Sequence, residues 1–426
     1  MTQVRFNQKW SNLALLRLSA FGFGITGFFL AMDTIVLPTL VLAVVPEGAK
    51  NTFLGVLGLS GMIVAALVQP MVGWYSDRTS TPLGRRTPFI LWSSVFVALG
   101  LCGLGFITNY ASLFILWVLI QANASIGYGP FHALIRDLVP VDRIGVASSL
   151  KILADGAGGV TLIAISGALI GRYTGPETVY WLWATLGIIA VTLVCGAVIS
   201  SLTVNLRERA ARVSFGRPLD VLRNRAGLHP HLPWFLVSRY LMITAIFVFP
   251  TYGLFFLRDV VGAENPPLTM GIMILSIGGA LVISVYPAGW ISDRIGRKPV
   301  VIFGGLAAAL STMALLTADG PSEVVVIASI AGAAVGTVLS ASWALANELG
   351  TEGREGQHMG IVNLATIAGT ASAKVFGPGV DLLNLASPGS GYSALLSGCA
   401  VAFLAGALLI VPLKARAHRP EPFPDR

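Results

Sequence analysis

Asp33, His132, Lys151, Asp155, Arg239 and Lys374 are ionisable side chains set inside long apolar stretches. An ionisable group in hydrocarbon costs on the order of several kcal/mol, so each is a candidate to bind a ligand, carry a proton or hold a partner. Asp33 has Leu30 and Leu37 as neighbours one helical turn away, and neither can neutralise it. It must be protonated, bind a cation or pair with another helix. We read it as the principal proton or cation site, with a static bridge to Lys374 as the rival. Asp155 and His132 follow as candidates for the same task, since a carboxylate or an imidazole can load and release a proton. Lys151 and Asp155 stand one turn apart on one helix face, which fits either a self-neutralised pair or a proton site. Arg239, less than two turns past Pro233, is expected to snorkel to the nearby interface. Lys374 lies deeper and suits a carboxylate of another helix or an anionic group of a ligand. Gln121, Asn123 and Tyr128 can hydrogen-bond a polyhydroxylated ligand, and the Trp343 ring can stack on a sugar. With Lys151, Arg239 and Lys374 they form the expected lining of a central cavity.

A second set of polar residues is repeated. Gly73-Trp-Tyr-Ser-Asp-Arg-Thr-Ser-Thr-Pro-Leu-Gly-Arg-Arg returns as Gly289-Trp-Ile-Ser-Asp-Arg-Ile-Gly-Arg-Lys, with four fewer residues between its two parts. Ala133-Leu-Ile-Arg-Asp-Leu is matched in the same way by Ala344-Leu-Ala-Asn-Glu-Leu. The chain is therefore a duplicated one. Asp77, Arg78, Arg85, Arg86, Asp137 and Arg143 form one expected charge cluster, and Asp293, Arg294, Arg297, Lys298, Glu348 and Arg354 its copy. Carboxylates at helix ends and arginine forks can clip packed elements together and release them, so both clusters are expected to act as a cytoplasmic gate. A purely topological role for the basic residues is the plainer alternative. Gly73 and Gly289 are expected to permit close helix contact.

The elements that must position these residues are membrane helices. The 426-residue chain is 55% hydrophobic and 11% charged, and its mean hydropathy is +0.78, which excludes an ordinary water-soluble domain. Apolar stretches of about 20 residues, enough to cross roughly 30 Å of hydrocarbon, recur throughout. They predict twelve spans, at roughly 13–45, 52–76, 88–108, 111–138, 144–172, 179–203, 232–258, 268–292, 299–318, 322–348, 357–382 and 390–413. The net charge of +8 comes from Lys and Arg placed in alternate loops, so it sets orientation and gives no sign of nucleic acid. Both hinge copies and the stretch 204–230 are basic while 46–51 and 173–178 are nearly neutral, which places both termini in the cytoplasm. The expected domains are a six-helix bundle over 1–203, a basic linker over 204–230 and a second six-helix bundle over 231–426. Cys102, Cys195 and Cys399 lie in apolar runs with neither a CxxC spacing nor a histidine partner, so no metal site or disulfide framework is indicated. The first span is expected to be its own targeting signal.

At the repeated hinge the chain resembles the Major Facilitator Superfamily of secondary transporters. The first copy, with Val68-Gln-Pro before it and Arg85-Arg-Thr-Pro-Phe-Ile after it, is similar to the glycoside-pentoside-hexuronide:cation symporters and, within them, to the sucrose-transporter branch. The resemblance implies an all-α membrane protein of two pseudo-symmetric six-helix bundles, alternating access and a substrate site between the halves. It also implies an acidic residue where Gln121 stands and an arginine where His132 stands. Gly129, Pro130, Ala133, Leu134, Asp137 and Leu138 match the branch. With both charges lost, sucrose itself and that branch's coupling arrangement are put in doubt. The sodium-coupled relatives carry two carboxylates where Ala65 and Gln69 stand here, which argues against sodium.

The expected function is proton-coupled transport of a small polar organic solute, best a glycoside or sugar, in the plasma membrane. The alternatives are a proton-coupled exporter of amphipathic metabolites or drugs, and a non-transporting lipid- or pigment-binding relative. No nucleophile-base set or phosphate loop supports an enzyme. The expected partners are the small-molecule substrate and membrane lipid. Neither a cofactor beyond the coupling ion, nor nucleic acid, nor an obligate protein partner is implied.

Overall fold

The structure is a computed structural model that describes residues 10–79, 81–140, 143–205, 231–349 and 355–413. The expected linker beyond Asn205, together with Arg354, lies outside them. Twelve helices among the described residues are long and apolar enough to cross a membrane. They are α1 (Asn12–Val44), α2 (Glu47–Ser76), α3 (Thr87–Leu104), α4 (Tyr110–Leu138), α5 (Ile144–Ile170), α6 (Val179–Asn205), α7 (Leu232–Asp259), α8 (Pro266–Ile295), α9 (Arg297–Ala314), α10 (Pro321–Glu348), α11 (His358–Ala386) and α12 (Ser390–Ile410). No strand occurs among the described residues.

Polar side chains and prolines start these helices. Ser11 Oγ accepts from the Ala14 N–H at 3.2 Å, Asn109 Oδ1 from the Ser112 N–H at 2.9 Å, and Asn265 Oδ1 from the Leu268 N–H at 3.1 Å. Each bond satisfies an amide that would otherwise be orphaned in the first turn. Pro88 and Pro321 occupy first-turn positions, where a missing N–H costs nothing. Pro70, Pro130, Pro250 and Pro287 sit inside helices that continue past them. Large apolar side chains such as Phe106, Ile152, Tyr286 and Leu310 are exposed, as a surface meeting lipid tails rather than water requires.

The chain divides into two compact units. Unit 1 holds Met1–Phe215 with the ends of two later helices, Tyr252–Arg258 and Glu264–Leu275. Unit 2 holds Gly216–Thr251, Asp259–Ala263 and Ser276–Arg426. In unit 1, α1 packs on α5 and α6, while α3 packs on α4 and α6. In unit 2, α9 repeats the second arrangement against α10 and α12. Serines tie the bundles where they repeat. Ser200 of α6 donates to the Leu18 carbonyl of α1 at 2.9 Å, and Ser238 of α7 donates to the Gly406 carbonyl of α12 at 2.7 Å.

Two helices are irregular at the depth where their ionisable residues sit. α1 contains a π-turn over Met32–Val36 that includes Asp33, and α11 contains a 3-10 turn over Lys374–Phe376. Lys374 is buried, 8% exposed, at the first residue of that turn. π-turns of this kind concentrate at functional sites.

Candidate functional site

The polar interior of unit 1 is built where α1, α4 and α5 meet. Lys151 Nζ donates to Asp155 Oδ2 at 2.5 Å, the pairing expected of residues one turn apart. Asp155 Oδ1 is buried and has no hydrogen-bond partner among the described residues. The carboxylate lies against Gly22 of α1 so closely that a Cβ there would stand 2.1 Å from Oδ1. The same close approach continues along the helix pair, since a Cβ at Gly158 would stand 2.0 Å from the Phe23 carbonyl oxygen. Aromatic rings frame the pair. Lys151 Nζ lies 5.2 Å from the Phe131 ring centre, Phe131 meets Phe21 edge-on at 5.1 Å, and Tyr128 meets His132 edge-on at 4.3 Å. Tyr128 is within electrostatic reach of Asp155, and His132 of Lys151.

Of two further residues expected in this lining, one is buried against α2 and the other has its donor committed. Gln121 is buried against Gly61 of α2, where a Cβ would stand 2.5 Å from Nε2, and its Oε1 has no partner among the described residues. Asn123 Nδ2 donates to the Leu119 carbonyl of its own helix at 2.8 Å. Asp33 is engaged by neighbouring groups.

In unit 2 the expectation for Arg239 is overturned. The side chain is 3% exposed and does not snorkel. Its Nε donates to Thr366 Oγ1 of α11 at 2.9 Å, its Nη1 donates to Ser342 Oγ of α10 at 3.0 Å, and its guanidinium lies 4.3 Å from the Trp343 ring centre. Two hydroxyls and a ring from neighbouring helices supply inside the protein what the interface would have offered. One face of Trp343, expected to be free for a ligand, is therefore occupied by Arg239.

The repeated hinge resolves into distinct roles. In the first copy, Arg86 is buried and joins two carboxylates, Asp137 through Nε at 2.5 Å and Asp77 through Nη2 at 3.1 Å, while Arg85 reaches Asp137 at 3.2 Å. In the second copy, Arg297 pairs with Glu348 at 2.8 Å and donates to the Ala344 carbonyl at 3.0 Å. These pairs fasten the loop after the second helix of each unit to the end of its fourth.

Other members of the expected clusters lie outside these pairs. Arg78 lies over Trp74 at 3.7 Å and Arg294 over Trp290 at 3.6 Å, the same one-turn stack in both copies. Arg143 donates to Asn12 Oδ1 at 3.2 Å, and Lys298 donates to the carbonyls of Val411 and Leu413. Asp293 is exposed. Close contact does not account for the two glycines: a Cβ at Gly73 would meet no atom within 4 Å, and one at Gly289 would meet only Ser340 Oγ at 3.8 Å.

Sequence reasoning missed several partners. Glu47 bonds Lys50 at 2.7 Å and Arg258 at 2.6 Å within unit 1, and Lys50 is buried with Phe255 beneath it at 5.6 Å. Lys50 and Glu47 stand three apart, a spacing that was legible, but Arg258 has no local signal pointing to them. Thr366, Ser342 and Gly22 are small residues whose roles come only from what packs on them.

Twelve apolar spans enclosing a few buried ionisable and hydrogen-bonding side chains define a multi-pass membrane transporter. The chain belongs to the Major Facilitator Superfamily, whose family model matches residues 18–373 and 280–425. Among curated relatives, the sucrose transport protein SUT3 of Oryza sativa subsp. indica is 32% identical over 114 residues, and SUC3 of Arabidopsis thaliana 30% over 126. These matches take in 21% and 24% of this chain and cover only 22% and 21% of those proteins. The multidrug resistance protein MdtG of Escherichia coli O9:H4 (strain HS) is 25% identical over 338 residues, 78% of each chain. Among solved structures, a bacterial homologue of the iron transporter ferroportin aligns over 94% of this chain and 97% of its own with a TM-score of 0.71 at 18% identity. The D-xylose-proton symporter aligns over 93% and 97% with a TM-score of 0.70 at 16% identity. At these identities the structural likeness concerns the fold.

Proposed function

We propose that this secondary transporter moves a small polar organic solute, best a glycoside or related sugar, with a proton as the coupling ion. The observation that carries the coupling is Asp155, one oxygen held by Lys151 and the other buried without a partner among the described residues. A buried, unsatisfied oxygen on a charged group costs on the order of 1–3 kcal/mol or more. A proton on Oδ1 neutralises the carboxylate and releases Lys151, so protonation changes which groups the interior of unit 1 offers a solute. His132 and Tyr128 stand beside the pair to pass the proton and to hydrogen-bond the solute. Asp33, placed first on sequence grounds and set in the π-turn of α1, is the second candidate. The similarity to sucrose transport proteins supports the solute class, and the absence of carboxylates at Ala65 and Gln69 favours a proton over sodium. The proposed location is the plasma membrane with both termini cytoplasmic.

One observation favours a second reading. Asn123 Nδ2 is taken up by the Leu119 carbonyl and Gln121 is buried, which leaves α4 few accessible polar groups for a sugar. Together with the similarity to MdtG over 78% of the chain, this supports an exporter of amphipathic solutes.

The test is solute accumulation in proteoliposomes under an imposed pH gradient, across sugars, glycosides and lipophilic cations. Asp155→Asn is expected to abolish accumulation while preserving exchange at equal pH, and Asp33→Asn to retain accumulation. Accumulation by Asp155→Asn with loss in Asp33→Asn would move the coupling site to Asp33. Accumulation only of lipophilic cations would favour the second reading.

A further inference from the structure

Arg239 is a permanently charged group inside unit 2 whose bonded partners are all neutral. Thr366 and Ser342 accept from Nε and Nη1, and Trp343 covers one face of the guanidinium. The carboxylate nearest along α10, Glu348, is committed to Arg297. A guanidinium has five donors, and these bonds use two of them. No carboxylate among the described residues bonds or pairs with Arg239, although it is 3% exposed and lies about 10 Å along α7 from Leu232. A buried charge of this kind is normally paired, because the cost of stranding it is several kcal/mol.

From these contacts we infer that Arg239, Ser342, Thr366 and Trp343 form an anion subsite that takes an oxyanion group carried by the solute, a carboxylate or a sulfate or phosphate ester. This rests on the reading of the protein as a transporter of a small polar solute and adds a charge to that solute. The geometry is already set for the task. The two hydroxyls fix Nε and Nη1, so the guanidinium plane is held and the Nη2 edge is left to meet an oxyanion as a planar fork. The Trp343 ring beneath it keeps one face dry while remaining 39% exposed itself, so the subsite is roofed on one side and open beside the ring. Ser342 can also turn its hydroxyl hydrogen toward a bound oxyanion, while the Thr366 hydroxyl donates to the Val362 carbonyl at 3.2 Å and so holds its acceptor lone pairs toward Nε. A lysine in this position would not be pinned in the same way, because its ammonium has no plane to fix.

The experiment uses the purified full-length chain in detergent. Binding of inorganic sulfate, D-gluconate and D-sorbitol is followed by thermal stability at constant ionic strength. Gluconate and sorbitol differ only by a carboxylate against a hydroxymethyl group, and sulfate reports an anion without a carbon skeleton. Sulfate also stabilises proteins by exclusion from their surface, so the quantity read is the difference between the wild type and Arg239→Gln.

Gluconate is expected to bind the wild type at least tenfold more tightly than sorbitol, with sulfate competing. Arg239→Gln is expected to remove that preference while leaving sorbitol unchanged, and Arg239→Lys to recover part of it. Equal affinity for gluconate and sorbitol in the wild type, or an unchanged gluconate preference in Arg239→Gln, overturns the subsite. Should Arg239→Gln not fold, Thr366→Val provides the second variant, with the gluconate preference expected to fall severalfold; no fall overturns the subsite. Proton-driven accumulation is scored separately. An anion preference dependent on Arg239, without any accumulation, upholds the subsite and counts against the coupled-transport reading. Accumulation of neutral sugars with no anion preference does the reverse.

Discussion

Lys151 and Asp155 face one another across a single turn of α5, yet Lys151 reaches only Oδ2, and Oδ1 is turned into the Gly22 surface with no donor among the described residues to accept from. The pair is thus half satisfied, a more consequential state than a closed ion pair. A closed pair would be a static element of the bundle. A half-satisfied one keeps a buried oxygen with an acceptor site to spare.

Replacing either member alone strands the other in a partly buried site. Lys151→Ala and Asp155→Ala are each expected to cost about 1–3 kcal/mol, and the double replacement less than the sum of the two. Denaturation of the four proteins in one detergent gives the coupling energy directly. Strict additivity would show that the 2.5 Å contact contributes nothing to stability.

Gly22 is expected to tolerate no Cβ. With 2.1 Å between that atom and Asp155 Oδ1, Gly22→Ala must displace the carboxylate, and solute accumulation should fall with Asp155 still present. Gly73→Ala is the contrasting substitution. No atom lies within 4 Å of its Cβ, and alanine is favoured over glycine in a helix by about 0.5–1 kcal/mol, so thermal stability should hold or rise. A large loss in Gly73→Ala would mean that the glycine serves a close contact in another state of the protein.

The two hinge copies are expected to respond unequally. Asp137 accepts from both Arg85 and Arg86, and Asp137→Asn leaves a buried arginine short of its main partner, which should slow turnover and cost about 1.5–3 kcal/mol. Asp77, bonded to Arg86 but 41% exposed as a side chain, should have a smaller effect. Asp293 is exposed, and Asp293→Asn should leave stability within about 0.5 kcal/mol. Transport rates and melting curves of the three variants rank them. Equal losses in all three would point to a gate that the carboxylates of both copies serve alike.

Much of the fold was legible because a bilayer imposes a simple rule. Every span must be apolar over about 20 residues, and twelve such stretches stand out in the amino-acid sequence itself. The Lys151–Asp155 pair was legible because both residues lie on one helix, where spacing is geometry. The stacks of Arg78 on Trp74 and Arg294 on Trp290 have the same local origin, but the charges drew attention to acids rather than rings. Arg239 was misread because its distance from Pro233 says nothing about Thr366 and Ser342, which come from helices more than a hundred residues away. The closeness of Gln121 to Gly61 was not legible for the same reason, since nothing in α4 alone points to a neighbour on α2.

The π-turn over Met32–Val36 in α1 has a consequence for how this helix can be compared or engineered. Such a turn holds one residue more than an α-turn, and each residue of an α-helix advances about 100° around the axis. Side chains beyond Val36, from Leu37 to Val44, are therefore rotated by about that angle from where an unbroken helix would present them. A single-residue deletion between Met32 and Val36 should be tolerated better than one elsewhere in α1, because it restores regular phase to the segment Leu37–Val44. Against a relative whose first helix is regular there, an alignment without a gap would assign Leu37–Val44 to the wrong face.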